Sequence, residues 1–139
     1  MIKLNADLGE SFGYYRLGID EGVFKAVLSV AKVLNLPLMI LSSAKNGKYE
    51  KIADELGVRL IFEVFADRNY TDEGFLVARS GKNAVITDKN EILKRFLMFK
   101  EGYVLSENGT VLNLKVDSIC VHGDNEKALE IVKAIREVL

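Results

Sequence analysis

Hydrophobic and polar positions along this chain switch between a helical period and short continuous apolar runs. Over residues 20–34 the apolar side chains fall at Val23, Phe24, Val27, Leu28, Ala31 and Leu34. That spacing puts them on one face of a helix. Asn35-Leu36-Pro37 ends it, because proline cannot continue the hydrogen-bond ladder. Residues 38–41 are apolar at every position, as in a parallel strand buried on both faces. After a loop at 42–47, Tyr49, Ile52, Ala53 and Leu56 restore the helical period and Gly57 supplies a stop. Residues 58–65 read as the next strand. Residues 66–81 are long, polar and aperiodic, a loop of the kind that carries function. Asp88 and Glu91 have capping-box spacing at the head of a helix that runs to about Lys100. Residues 103–105 and 111–114 flank Asn108-Gly109, a hairpin signal. Residues 118–121 form a last buried strand, and Ala128, Leu129, Ile131, Val132 and Ile135 predict a final helix. At the other end, residues 2–5 predict a short first strand.

Short buried strands alternating with helices imply an α/β fold. The expectation is about four parallel strands plus a late β-hairpin. Such folds place their chemistry at the C-terminal ends of the strands. The 139 residues suit one compact domain, 1–139, with no internal repeat, linker or low-complexity stretch. A hydrophobic share of 49% beside 28% charged residues is that of a globular chain. The net charge of −1, with no basic block, argues against nucleic acid and against an anionic membrane surface as partners. The apolar runs are too short to span a bilayer, and the first residues lack a secretory apolar region, so a cytoplasmic location is expected. One cysteine, Cys120, excludes an internal disulfide framework. Plentiful Lys and Glu with no Gln or Trp lean toward a thermophile.

Three polar clusters come after three of the strands. Asn5, Asp7, Glu10 and Ser11 crowd the turn "LNADLGESFG" at 4–13. Glu63, Asp67, Arg68 and Tyr70 belong to the middle strand and its exit, and His122, Gly123 and Asp124 to the last one. In a parallel sheet these ends share one edge and can converge. Each residue also has a plain structural reading. Asp7 would cap a turn, Glu63 would face solvent, His122 would be satisfied by a carbonyl, Asp124 would cap the last helix, and Cys120 would be a small core side chain. As a group they suit general acid–base chemistry near neutral pH, with His122 beside a carboxylate. A metal site from Asp7, Glu63 and His122 is conceivable, but no metal-ligand spacing supports it, so no firm metal is expected. No phosphate-binding loop and no serine elbow are present.

"NADLGESFG" at 5–13, "EVFADRNYTDEGFLVARS" at 63–80 and "ICVHGD" at 119–124 closely resemble the LamB/YcsF family, the A subunit of the bacterial and archaeal 5-oxoprolinase. The resemblance extends over essentially the whole chain, with "AVIT" at 84–87 before the late helix. It implies a distorted β/α barrel of the glycoside-hydrolase/deacetylase kind. It also implies ATP-dependent opening of the 5-oxoproline lactam to glutamate, together with partner B and C subunits. Carried over by position, Asp7, Glu63 and His122 would be catalytic, and Asn5, Glu10, Asp67, Arg68 and Asp124 would bind substrate. In that chemistry ATP phosphorylates the lactam oxygen, a base such as His122 or Asp7 activates water, and Arg68 neutralises phosphate charge.

A complete barrel takes roughly 250 residues. Here the family's opening segment ends near Gly22, and the chain from about Val23 onward resembles a much later part. The family's middle motifs, "NIACGFHAGD", "GAHPGYPD" and "KPHGALY", are absent, and His122 is the chain's one histidine. The expectation is thus a shortened member. Two alternatives stand beside the hydrolase: a binding or assembly protein that kept the fold without the chemistry, and a metal-dependent deacetylase-like hydrolase. An opened barrel exposes strand edges, which predicts a homodimer with Val23, Phe24 and Val27 at or near its interface.

Overall fold

The structure, a computed structural model, describes residues 20–120 and 128–138. In chain order the elements are α1 (Asp20–Val33), β1 (Leu38–Leu41), α2 (Gly47–Leu56), β2 (Leu60–Phe65), α3 (Lys89–Lys100), β3 (Tyr103–Leu105), β4 (Val111–Asn113), β5 (Ser118–Cys120) and α4 (Ala128–Val138). The strand expected at residues 2–5 lies outside the described residues, and so does the end of the one expected at 118–121. Among the described residues no helix is long and apolar enough to cross a membrane.

The described residues form two compact units. The first comprises 20–41 and 46–61 and is built on α1 and α2. Phe24, Leu28 and Ala31 of α1 are buried, as are Ile52 and Ala53 of α2. The Phe24 ring meets the Tyr49 ring edge-on at 4.8 Å. Phe24 is therefore committed to this unit's own core and is not offered to a second copy. The buried stripe of α1 is also narrower than its apolar pattern, since Val23 and Leu34 are exposed. Helix α1 is closed by Asn35 before proline acts. Asn35 sits at φ 51, its N–H donates to the Lys32 carbonyl, and the Leu36 N–H reaches back to Ala31. Gly57 repeats this at the end of α2 at φ 69, with the Val58 N–H on the Ala53 carbonyl. That bond draws Val58 into the helix stop, so β2 begins at Leu60.

The second unit comprises 42–45, 62–120 and 128–138. Strands β2 and β5 pair in parallel, with Glu63 opposite Ser118 and Phe65 opposite Cys120. The sheet order is β1-β2-β5. The Leu38 N–H donates to Arg59 and the Ser42 N–H to Glu63, a constant offset that a parallel ladder requires. The sheet is thus parallel, as the run of βα units implied. The hairpin β3–β4 is antiparallel and separate, with Leu105 opposite Val111. Val64, Tyr70, Ile92, Phe96, Phe99, Val104, Leu112 and Ile131 belong to one continuous core. Helix α4 buries Ile131, Ala134 and Ile135, while Leu129 and Val132 face out. The apolar pattern of α4 is wider than the face it buries.

Candidate functional site

Strand β2 delivers its last residue, Phe65, to the C-terminal end of the sheet, and the chain stays buried through Ala66, Asp67 and Arg68. A buried loop must satisfy its backbone groups. This one does so by pairing with itself. The Ile86 N–H donates to Asp67, the Asn69 N–H to Ala84, and the Val77 N–H to Asn69. Gly74 turns the tip at φ 83, where a Cβ would stand 3.3 Å from the Ala44 methyl. Both the angle and the space favour glycine there.

Two arginines complete the loop's bonding. Arg68 donates from Nε to the Ala84 carbonyl at 3.2 Å and from Nη2 to the Val77 carbonyl at 2.7 Å. Burial, and then the neighbouring Arg79 charge, hold the Arg68 guanidinium below its usual value, while Asp67 works against both. Arg95, from α3, donates from Nη2 to the Arg68 carbonyl at 2.9 Å and from Nη1 to the Leu105 carbonyl at 3.3 Å. Its guanidinium lies 5.8 Å from the Tyr70 ring centre, in cation–π range. Tyr70 is fully buried, and its hydroxyl accepts the Phe65 N–H at 3.1 Å. Burial pushes its phenol up to about 12. The hairpin turn is fastened to the same loop. The Asp72 carboxylate accepts from Ser106 Oγ and from Asn108 Nδ2, and those bonds hold Asp72 below its usual value.

Among the candidates named from sequence, Glu63 lies half-buried on β2 opposite Ser118. Asp67 is buried just past the end of β2, and Arg68 is next to it. Cys120 ends β5 beside Phe65. Its thiol is pushed up by burial first, then by the negative charges of Glu63 and Asp67. The Cys120 thiol at the end of β5 thus feels both Glu63, inside β2, and Asp67, just past the end of β2. Asn5, Asp7, Glu10, His122 and Asp124 lie outside the described residues. Among the described residues no group of three or more His, Cys, Asp or Glu is placed to hold a metal ion.

Arg95 was not visible as a candidate in the sequence, although a signal existed. It stands between Ile92 and Phe96 on the apolar stripe that Phe99 continues, a position where a solvated charge does not belong. Asp117 was missed as well. Its Oδ2 accepts the Phe62 N–H at 2.9 Å, a link between the approach to β5 and the body of β2.

Comparison with known proteins points to the same segments. The LamB/YcsF family model matches residues 24–139. The match begins beside Val23, where the sequence pattern placed the change from an early to a late family segment. The chain is 49% identical over 122 residues to the 5-oxoprolinase A subunit of Pyrococcus abyssi, an alignment covering 87% of this chain and 46% of that relative. It is 44% identical over 121 residues to the 5-oxoprolinase A subunit of Vibrio campbellii, covering 86% and 48%. Among solved structures it resembles a lactam utilization protein from Thermus thermophilus. There the TM-score is 0.73 and the identity 32%, over 86% of this chain and 47% of that one. The chain spans about half the length of the curated relatives it matches.

Proposed function

We propose, from the premise that this chain belongs to the LamB/YcsF family, that it serves as the A-type component in ATP-dependent hydrolysis of 5-oxoproline to glutamate. The observation that carries this reading is the placement of Asp67 and Cys120 at the C-terminal ends of β2 and β5, with Glu63 two residues before the end of β2. That is the edge where parallel α/β sheets bind ligands, and "VHGD" continues from it in sequence. The names of the relatives and of the solved neighbour supply the substrate class. A five-membered lactam is a stable amide, so its hydrolysis needs activation. ATP supplies this by phosphorylating the lactam carbonyl oxygen, with release of ADP. One water then adds at that carbon, the C–N bond breaks and the nitrogen takes a proton to become the amine. A second water hydrolyses the resulting acyl phosphate to the carboxylate of glutamate and inorganic phosphate. In this reading Asp7 and His122 handle the protons of the water, with Glu63 as the third group on that edge. Asn5, Glu10, Asp67 and Asp124 hold the substrate. Arg68 fixes residues 77–84 and keeps a positive charge beside Asp67.

Subunits of the B and C type are the proposed partners, and a homodimer the proposed state of the chain itself. The test combines this chain with B and C subunits and measures 5-oxoproline-dependent release of ADP and glutamate. Glutamate formation that disappears with His122→Ala, at an unchanged melting temperature, supports the reading. A His122→Ala variant that turns over normally refutes the assigned base. The chain's span of about half its relatives' length favours a second reading, an assembly protein without turnover. Stable co-purification with B and C, with no ADP release above background, would select it.

A further inference from the structure

A cleft of about 300 Å³ opens beside α3 and the hairpin turn, and the proposed hydrolysis makes no use of it. Arg95 forms part of its lining, and Glu91 and Glu107 stand there with Asn69, Met98 and Leu105. The volume lies at the small end of the range for small-molecule sites. Arg95 is only 4% exposed. A guanidinium carries five N–H donors, and the protein takes two of them, at Leu105 and Arg68. Nε is buried with no hydrogen-bond partner among the described residues. No carboxylate among the described residues is within ion-pair distance of Arg95. Against the burial that disfavours its cation, the Glu91 charge favours it from one turn away, while the Glu91 carboxylate itself contacts Lys94 Nζ at 3.6 Å. A buried cation in that state gains from an anion brought to it. Glu91 is one helical turn before Arg95 on the same face, so the acid and the base border the cleft from one side.

These charges select among ligands. A bare phosphate or nucleotide would satisfy Arg95 but would bring its charge against Glu91 and Glu107. A simple amine would satisfy the two acids and leave Arg95 as it is. A ligand with one carboxylate and one ammonium group a short distance apart satisfies both. Met98 and Leu105 supply apolar wall for an aliphatic side chain. We propose that this cleft binds a free α-amino acid with a short aliphatic side chain, its carboxylate toward Arg95 and its ammonium toward Glu91 and Glu107. Asn69 adds a side-chain carbonyl to the lining, its amide nitrogen being held by the Asn83 carbonyl.

The proposal does not depend on the hydrolytic activity, and its test does not use it. The probe is L-leucine, monitored by calorimetry or ligand-observed NMR on the intact chain. N-acetyl-L-leucine, lacking the ammonium, and L-leucinamide, lacking the carboxylate, are the controls. Each control is expected to bind at least about tenfold more weakly than L-leucine. The double variant Glu91→Gln, Glu107→Gln alters the rim and leaves the buried arginine and its two carbonyl bonds in place. It is expected to keep its melting temperature and to lose L-leucine affinity by at least about tenfold. No L-leucine binding up to roughly 10 mM would overturn the proposal. So would equal binding of the two blocked derivatives, or undiminished affinity in the folded double variant.

Discussion

Tyr70 shows how much of the loop's geometry rests on single side chains. Its hydroxyl caps the Phe65 N–H, its ring stands 6.2 Å edge-on from Phe99, and Arg95 lies against its face. Tyr70→Phe keeps the ring contacts and removes the acceptor, so a loss of about 1 kcal/mol in denaturant unfolding is expected. The phenol also makes stability depend on alkaline pH. Its ordinary value is 10.0 and its folded value about 12, because burial disfavours the phenolate. Between those values the unfolded chain has lost a proton that the folded chain keeps. Stability is therefore fully present below pH 10 and falls as pH rises toward 12, by an amount on the order of 2 kcal/mol. Tyr70→Phe should flatten that decline, and denaturant titrations from about pH 9 upward check it. Arg68 is the second such residue. Arg68→Met removes the side-chain donors to the Ala84 and Val77 carbonyls, of which Ala84 keeps the Asn69 N–H, at a cost of about 2 kcal/mol. Limited proteolysis should then cut within residues 77–84 faster than in the unaltered chain, and an unchanged cleavage rate would show that the backbone bonds alone hold the loop.

At the level of elements, the ends of the helices are written locally and form where the sequence puts them. Asp88 caps α3 through its side chain, accepting the Glu91 N–H at 2.9 Å. Asp88→Ala should cost about 1 kcal/mol and Asp88→Asn much less, since asparagine keeps an acceptor at that position. Thermal melts of the two variants separate capping from charge. Gly57 ends α2 in the left-handed region with open space where a Cβ would go. Gly57→Ala should therefore destabilise through backbone strain alone, by about 1 kcal/mol, with no repacking visible in NMR shifts of Ile52 and Ala53. Faces are harder to read than ends. Val23, Leu34, Leu129 and Val132 keep to the helical period and are nonetheless exposed. Periodicity marks an apolar arc, while the width that is covered depends on what packs there.

At the scale of the whole molecule, the chain matches its relatives over about half their length and keeps their fold over that span. The continuous core around Val64, Tyr70, Phe96, Phe99 and Val104 sits in the second unit. Hydrogen exchange should be slowest at the amides of β2, β3 and α3, and faster protection loss there than in α1 would contradict that core assignment. Apolar side chains remain exposed on the first unit at Val30, Val33, Leu34, Leu36 and Met39. They are the residues to probe for the proposed homodimer, now that Phe24 is accounted for by Tyr49. Light scattering at micromolar concentration should give twice the chain mass, and a monomer mass there would end the dimer proposal.

The sequence by itself determined the order of helices and strands, the stop at Gly57, the cap at Asp88, the hairpin around Asn108-Gly109 and the family motifs. Each depends on neighbours a few residues apart, whose chemistry is the same whatever the rest of the chain does. The tertiary structure alone decided that Arg95 is buried and reaches the Arg68 and Leu105 carbonyls. It also decided that Arg68 commits two donor groups to its own loop, and that Cys120 feels the charges of Glu63 and Asp67. Those outcomes depend on which distant segments meet and on what water is excluded when they do. A linear pattern records neither.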